Sequence, residues 1–87
     1  MFNQELRRRI LKFQKNEITE FHIYNKLALV ERSLPNRKIL QNIAKDELKH
    51  YKQWQKYTNK EVKPDKLKIF FYYQISRIFG LAVCASD

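Results

Sequence analysis

Leu6, Ile10, Phe13, Glu17, Glu20, Tyr24, Leu27 and Glu31 recur at alternating spacings of four and three residues. That spacing puts the eight side chains on one stripe of a single long helix, predicted over about Asn3 to Ser33. Phe21 and Ala28 widen the stripe. The pattern breaks at Ser33-Leu34-Pro35-Asn36, where Pro35 disfavours a helical Leu34 and Ser33 or Asn36 can cap the next element. A second stripe of Leu40, Ile43, Glu47, His50, Trp54 and Tyr57 predicts a helix over about Asn36 to Tyr57. Ala44, Leu48 and Tyr51 lie beside it, while Lys45, Lys49, Lys52 and Lys56 fall on the opposite face. So short a connection makes the two helices antiparallel neighbours.

Thr58-Asn59-Lys60 closes the second helix, and Lys63-Pro64-Asp65 supplies an extended residue, a breaker and a new cap. The third helix, predicted over Lys66 to Ala85, has another character. Ile69-Phe70-Phe71-Tyr72-Tyr73 is wholly apolar and aromatic, and Ile78 to Ala85 is apolar again after Gln74, Ser76 and Arg77. These interruptions leave it short of the about 20 mostly apolar residues that a membrane span needs. It reads as an amphipathic helix laid against a partner or a membrane surface. The sequence runs out at Cys84-Ala85-Ser86-Asp87 without a helix-ending signal, as a piece of a longer protein would. The expected fold class is all-α, with an antiparallel helical hairpin over residues 1–60 and a linker plus amphipathic helix over 61–87.

Composition narrows the picture. The 87 residues allow one small domain, and one Gly with two Pro argue against a turn-rich β fold. A hydrophobic fraction of 44% excludes a disordered tail. Cys84 is the only cysteine, so neither an intramolecular disulfide nor a multi-cysteine zinc site is available. Met1 to Gln14 carries Arg7, Arg8 and Arg9 within an amphipathic pattern and has no apolar signal-peptide core. The expected setting is therefore the cytoplasm, with membrane association through the third helix. Eighteen Lys and Arg against nine Asp and Glu give a formal charge of +9. That balance suits nucleic acid, an anionic membrane or a merely solvated helix exterior, and does not choose among them.

The informative residues are the polar ones on the apolar stripes. A buried unpaired carboxylate is strongly unfavourable, so each needs a compensating partner. Glu47 and His50 form Glu-x-x-His, which places both side chains on one helix face about one turn apart. Glu17 lies about 16 residues before Ser33, and His50 lies about 14 after Asn36. At about 1.5 Å rise per residue the two stand at the same level of the hairpin to within roughly one turn. Glu17, Glu47 and His50 can thus converge. Carboxylates with one imidazole suit a divalent first-row metal such as iron or manganese better than a thiolate-type zinc site. Di-iron carboxylate bundles take one Glu from each of two helices and one Glu-x-x-His from each of the other two, and this chain carries half of that set.

Asn16-Glu17-Ile18-Thr19-Glu20-Phe21-His22-Ile23-Tyr24, followed by Ala44-Lys45-Asp46-Glu47-Leu48-Lys49-His50, resembles the first two helices of rubrerythrin-type ferritin-like proteins. The resemblance covers roughly Leu11 to Tyr57 and includes the Tyr seven residues after the first Glu. Tyr57 to Pro64 and Phe79-Gly80-Leu81 are similar to rubrerythrin-like domains fused to iron/manganese transporters of the vacuolar type. The half-site also resembles that of encapsulated ferritins, which complete it by pairing subunits. Unlike rubrerythrin, the chain has neither a second Glu with a second Glu-x-x-His nor rubredoxin-type cysteines. The resemblance implies Glu17 as a terminal or bridging ligand, Glu47 as a bridging carboxylate and His50 as a terminal ligand. It implies Tyr24 as a hydroxyl orienting a carboxylate; Glu20, grouped with Tyr24 around the ligands, reads as a rim residue or a Lys/Arg partner rather than a ligand. A homodimer or larger homo-oligomer would form the four-helix bundle and share a di-iron site, manganese being the other candidate metal. Ferroxidase-type oxidation of Fe(II) by O2 or peroxide follows, for storage, detoxification or delivery to a transporter domain. No catalytic residue beyond the metal ligands is expected.

The remaining candidates have plainer readings. His22 sits roughly 140° around the helix from Glu17 and is expected to be exposed rather than a ligand. Glu31 is expected as a surface carboxylate at the helix end. Tyr51, Trp54 and Tyr57 are expected as packing residues and Cys84 as a small apolar one. The rival function is a metal-independent basic helical module for nucleic acid or an anionic membrane surface. It gives no reason for carboxylates on the core stripe, so nucleic acid is the weaker partner.

Overall fold

The computed structural model describes the backbone of residues 3–86 and the side chains of residues 3–78. Three helices make up the fold: α1 (Gln4–Val30), α2 (Leu34–Thr58) and α3 (Lys66–Ser86). No strand occurs among the described residues. Cys84 lies outside the described side chains.

Local chemistry sets the helix ends. Asn3 caps α1 by accepting from the Leu6 amide at 2.7 Å. The helix stops at Val30, three residues short of the expected Ser33, because Glu31 turns to extended backbone (ψ 126°). Glu31 is more than a surface carboxylate. Its side chain accepts from the Ser33 amide at 3.0 Å, and its carbonyl accepts two bonds from the Arg37 guanidinium. Ser33 then caps α2, so helix begins at Leu34 rather than Asn36. Pro35 is accommodated in the first turn, where its missing N–H would have had no helical partner in any case. α2 ends at Asn59 in the left-handed region (φ 53°), and Asp65 caps α3 by accepting from the Lys68 amide at 3.1 Å.

Phe13 beside Trp54 and Glu17 beside His50 fix the antiparallel register of α1 and α2. α3 packs on α1 alone and runs parallel to it, since Asp65 meets Thr19 and Tyr73 meets Lys26. The core holds Ile10, Ile23, Ala28, Ala44, Tyr51 and Ile69, together with three fully buried polar residues, Gln14, Thr19 and Thr58. Thr58 donates to the Gln14 side-chain oxygen at 2.7 Å, and the Gln14 amide donates to the Lys60 carbonyl. The Val62 amide donates to the Tyr51 hydroxyl at 3.0 Å, and the Asp65 amide to the Thr19 hydroxyl at 2.9 Å. These bonds strap segment 59–65 across the hairpin and deliver α3 to its place on α1.

The contact between α1 and α2 is rotated from the expected stripes. Ile10, Gln14 and Ala28 are buried on α1, and Ala44, Tyr51 and Thr58 on α2. Leu6, Phe13, Ile39 and Tyr57 stay exposed. The Gln14–Thr58 bond draws one flank of each stripe inward and leaves the other flank open.

Candidate metal centre

α1 contributes Glu17, and α2 contributes Glu47 and His50 one turn apart. One carboxylate oxygen from each Glu and one imidazole nitrogen lie within 4.8 Å of one another. The His50 Nδ1 is 3.4 Å from Glu17 Oε2. Glu17 and Glu47 are half-buried, whereas the His50 side chain keeps 50% of its surface against 21% for Glu17. The cluster is therefore walled by the hairpin on the carboxylate side and open on the imidazole side.

Charge makes this an unstable arrangement without a cation or a proton. Glu17 Oε2 is buried and has no hydrogen-bond partner. An orphaned buried acceptor costs about 1–3 kcal/mol, and more when charged. Burial pushes the Glu47 carboxyl above its ordinary range, helped by a hydrogen bond to Glu17 and by the Glu17 charge, while a hydrogen bond to Glu20 and the His50 charge oppose the shift. Burial likewise raises Glu20, and a hydrogen bond to Glu47 and the Glu47 charge add to it, with Lys68 of α3 partly offsetting them. Glu17, Glu47 and Glu20 thus stand in a row along which Glu47 and Glu20 hold their protons more readily than free carboxylates.

The donor set fits a divalent metal. Oxygen and nitrogen ligands bind first-row ions at about 2.0–2.2 Å, so ligands to one ion sit roughly 3–4 Å apart. The cluster is already near that spacing, and Glu17 Oε2 has the His50 Nδ1 3.4 Å away but no hydrogen bond. Two carboxylates and one imidazole are an oxygen-rich, borderline-hard donor set of the kind that first-row divalent ions take.

Of the residues singled out in the sequence, Glu17, Glu47 and His50 are brought together. Glu20 is exposed and joins the rim through Glu47. Tyr24 is half-buried further along α1. His22 is half-buried rather than exposed, because its ring packs edge-on to Phe21 at 5.1 Å, and it lies apart from the cluster. Periodicity alone missed the surroundings of the site. Phe13 (48% exposed) and Tyr57 (60% exposed) share the stripes of Glu17 and His50 on the open side of the hairpin. Trp54 bridges them, with ring centres 5.7 Å from Phe13 and 6.3 Å from Tyr57. The ligands therefore open onto an aromatic, solvent-facing surface.

The chain matches no protein-family model, no curated protein and no solved structure.

Proposed function

We propose that this chain is a ferritin-like metal-binding protein whose hairpin carries half of a di-iron site, completed when two copies pair into a four-helix bundle. The observation that carries this reading is the convergence of Glu17, Glu47 and His50, with an orphaned carboxylate oxygen, on an open apolar face. Three ligands leave a first-row ion short of its usual coordination, and a two-fold partner would bring a second Glu17, Glu47 and His50. Four carboxylates would then balance the charge of two ferrous ions. Phe13, Trp54 and Tyr57 supply the apolar surface that such a pairing buries, which would shield the site from bulk water.

In this reading Glu47, with Glu17 on one side and Glu20 on the other, would bridge two ions, Glu17 would be a terminal or bridging ligand and His50 a terminal one. Glu20 would stand at the rim beside Glu47. Tyr24 is assigned to orient a carboxylate from the adjoining turn. As substrate, two ferrous ions would give one electron each to O2, which takes up two protons and leaves as hydrogen peroxide. Ferric iron is then available for storage, detoxification or delivery, and manganese is the second candidate metal.

Anaerobic Fe(II) titration with native mass spectrometry on the same sample tests this. The expected result is about one iron per chain, appearing together with a dimer or larger assembly. No iron uptake by the folded protein would overturn it. It would leave the metal-independent reading, a basic helical module for nucleic acid or an anionic membrane surface, whose motive is the +9 charge.

A further inference from the structure

α3 meets α1 through one side only. Ile69 is buried there, Tyr73 and Ser76 are half-buried, and the Lys26 ammonium sits 5.6 Å from the Tyr73 ring centre. On the opposite side Leu67, Phe70, Phe71, Ile75 and Ile78 are each between 49% and 65% exposed. At about 100° per residue these five gather on one face roughly 140° wide, with the half-buried Gln74 among them, pointing away from the hairpin. Lys66 and Arg77 border one edge and Lys68 the other. Between residues 66 and 78 these three are the only charged side chains.

We infer that this face of α3 seats the protein on an anionic lipid surface, with the helix lying in the plane of the headgroups. Two observations choose that occupant. Scattered exposed apolar residues are ordinary, but two Phe, two Ile and one Leu gathered on one face of a single helix mark a contact surface. Its edges are uniformly basic, which complements lipid phosphates and carboxylates. A second copy would bring the same basic edges against themselves. Among the described residues, no helix is long and apolar enough to cross a membrane. The apolar face belongs to α3 alone and does not rest on the metal reading, although Lys68 on its border also acts on Glu20 at the rim of the Glu/His cluster.

Vesicle flotation of the whole chain tests this, using phosphatidylcholine alone and phosphatidylcholine mixed with phosphatidylglycerol. The protein should float with the anionic vesicles only, and less so as salt rises. Phe70→Ser with Phe71→Ser should weaken binding by roughly tenfold or more. Lys66→Gln, Lys68→Gln and Arg77→Gln should each weaken it by about fivefold. Circular dichroism checks that the variants stay helical. The phenylalanine variant should still take up Fe(II), and Glu47→Ala should still float, so failure here and failure of the metal site are distinguishable. Absence of flotation by the folded protein, equal flotation with neutral vesicles, or undiminished flotation of the phenylalanine variant would each overturn the inference. So would self-association that the phenylalanine variant abolishes, or retention on duplex DNA without flotation, which would assign the face to a second copy or to nucleic acid.

Discussion

Within the hairpin, polar groups are held inside: Gln14, Thr19 and Thr58 are fully buried, and Glu17 and Glu47 are half-buried against each other. Along α3 the arrangement is inverted, with Phe70, Phe71 and Ile78 turned to solvent and little but Ile69 turned inward. Gln14 and Thr58 bond each other, Gln14 also bonds the Lys60 carbonyl, and Thr19 bonds the Lys15 carbonyl and the Asp65 amide. Burial and like charge raise the Glu47 and Glu20 carboxyls, and the outward face of α3 stays exposed. The partners proposed above differ accordingly, a cation in one region and an anionic lipid surface in the other. The two regions are also built differently. The hairpin is held by a long helix–helix contact, whereas α3 is held by one face and by the strap over residues 59–65.

Mutations can separate the regions. The largest effect is expected for Glu47→Ala or His50→Ala, which should abolish stoichiometric Fe(II) binding with helix content kept, as read by titration and circular dichroism. Iron binding unchanged in both variants would remove the metal half of the contrast. Next is Gln14→Ala, which leaves the Thr58 hydroxyl and the Lys60 carbonyl without their partner and should cost about 1–3 kcal/mol in urea unfolding.

Thr19→Val should cost about 1 kcal/mol, because it removes only the bond from the Asp65 amide and the local bond to the Lys15 carbonyl. Its signature is regional: amide exchange should quicken at the start of α3 and not in α2. Equal quickening in both would show that the hairpin and α3 unfold as one unit.

The smallest effect concerns pH in the presence of a chelator. Burial and like charge raise the folded-state Glu47 and Glu20 carboxyls above their ordinary range. The folded protein then binds more protons than the unfolded chain in the window between the ordinary and the raised values. That stabilising contribution is complete below the ordinary carboxylate range and is lost as pH rises through the raised values. Glu47→Gln should flatten the decline, and thermal unfolding from acid to neutral pH reads it. Stability that rises across that window and is unchanged by Glu47→Gln would contradict the carboxylate row.

Most of the fold was legible because its determinants are local. Alternating three- and four-residue spacings announced α1 and α2, and Ser33, Asn59 and Asp65 marked their ends through hydrogen bonds to near neighbours or a left-handed backbone. Convergence of Glu17, Glu47 and His50 was legible too, since a short connection leaves little freedom in hairpin register. The start of α2 was not, because the Glu31 carbonyl and the Arg37 guanidinium, six residues apart, together set the corner.

By itself, then, the sequence determined three helices, their order and the level at which two carboxylates and an imidazole meet. Tertiary structure decided which flank of each stripe is buried and that α3 shows its apolar side outward. Those outcomes rest on bonds between residues 44 or more positions apart: Thr58 to Gln14, Lys60 to Gln14 and Asp65 to Thr19. Periodicity ranks the faces of one helix at a time. It carries no term for a polar pair that is satisfied only when two distant turns meet, as Gln14 and Thr58 are.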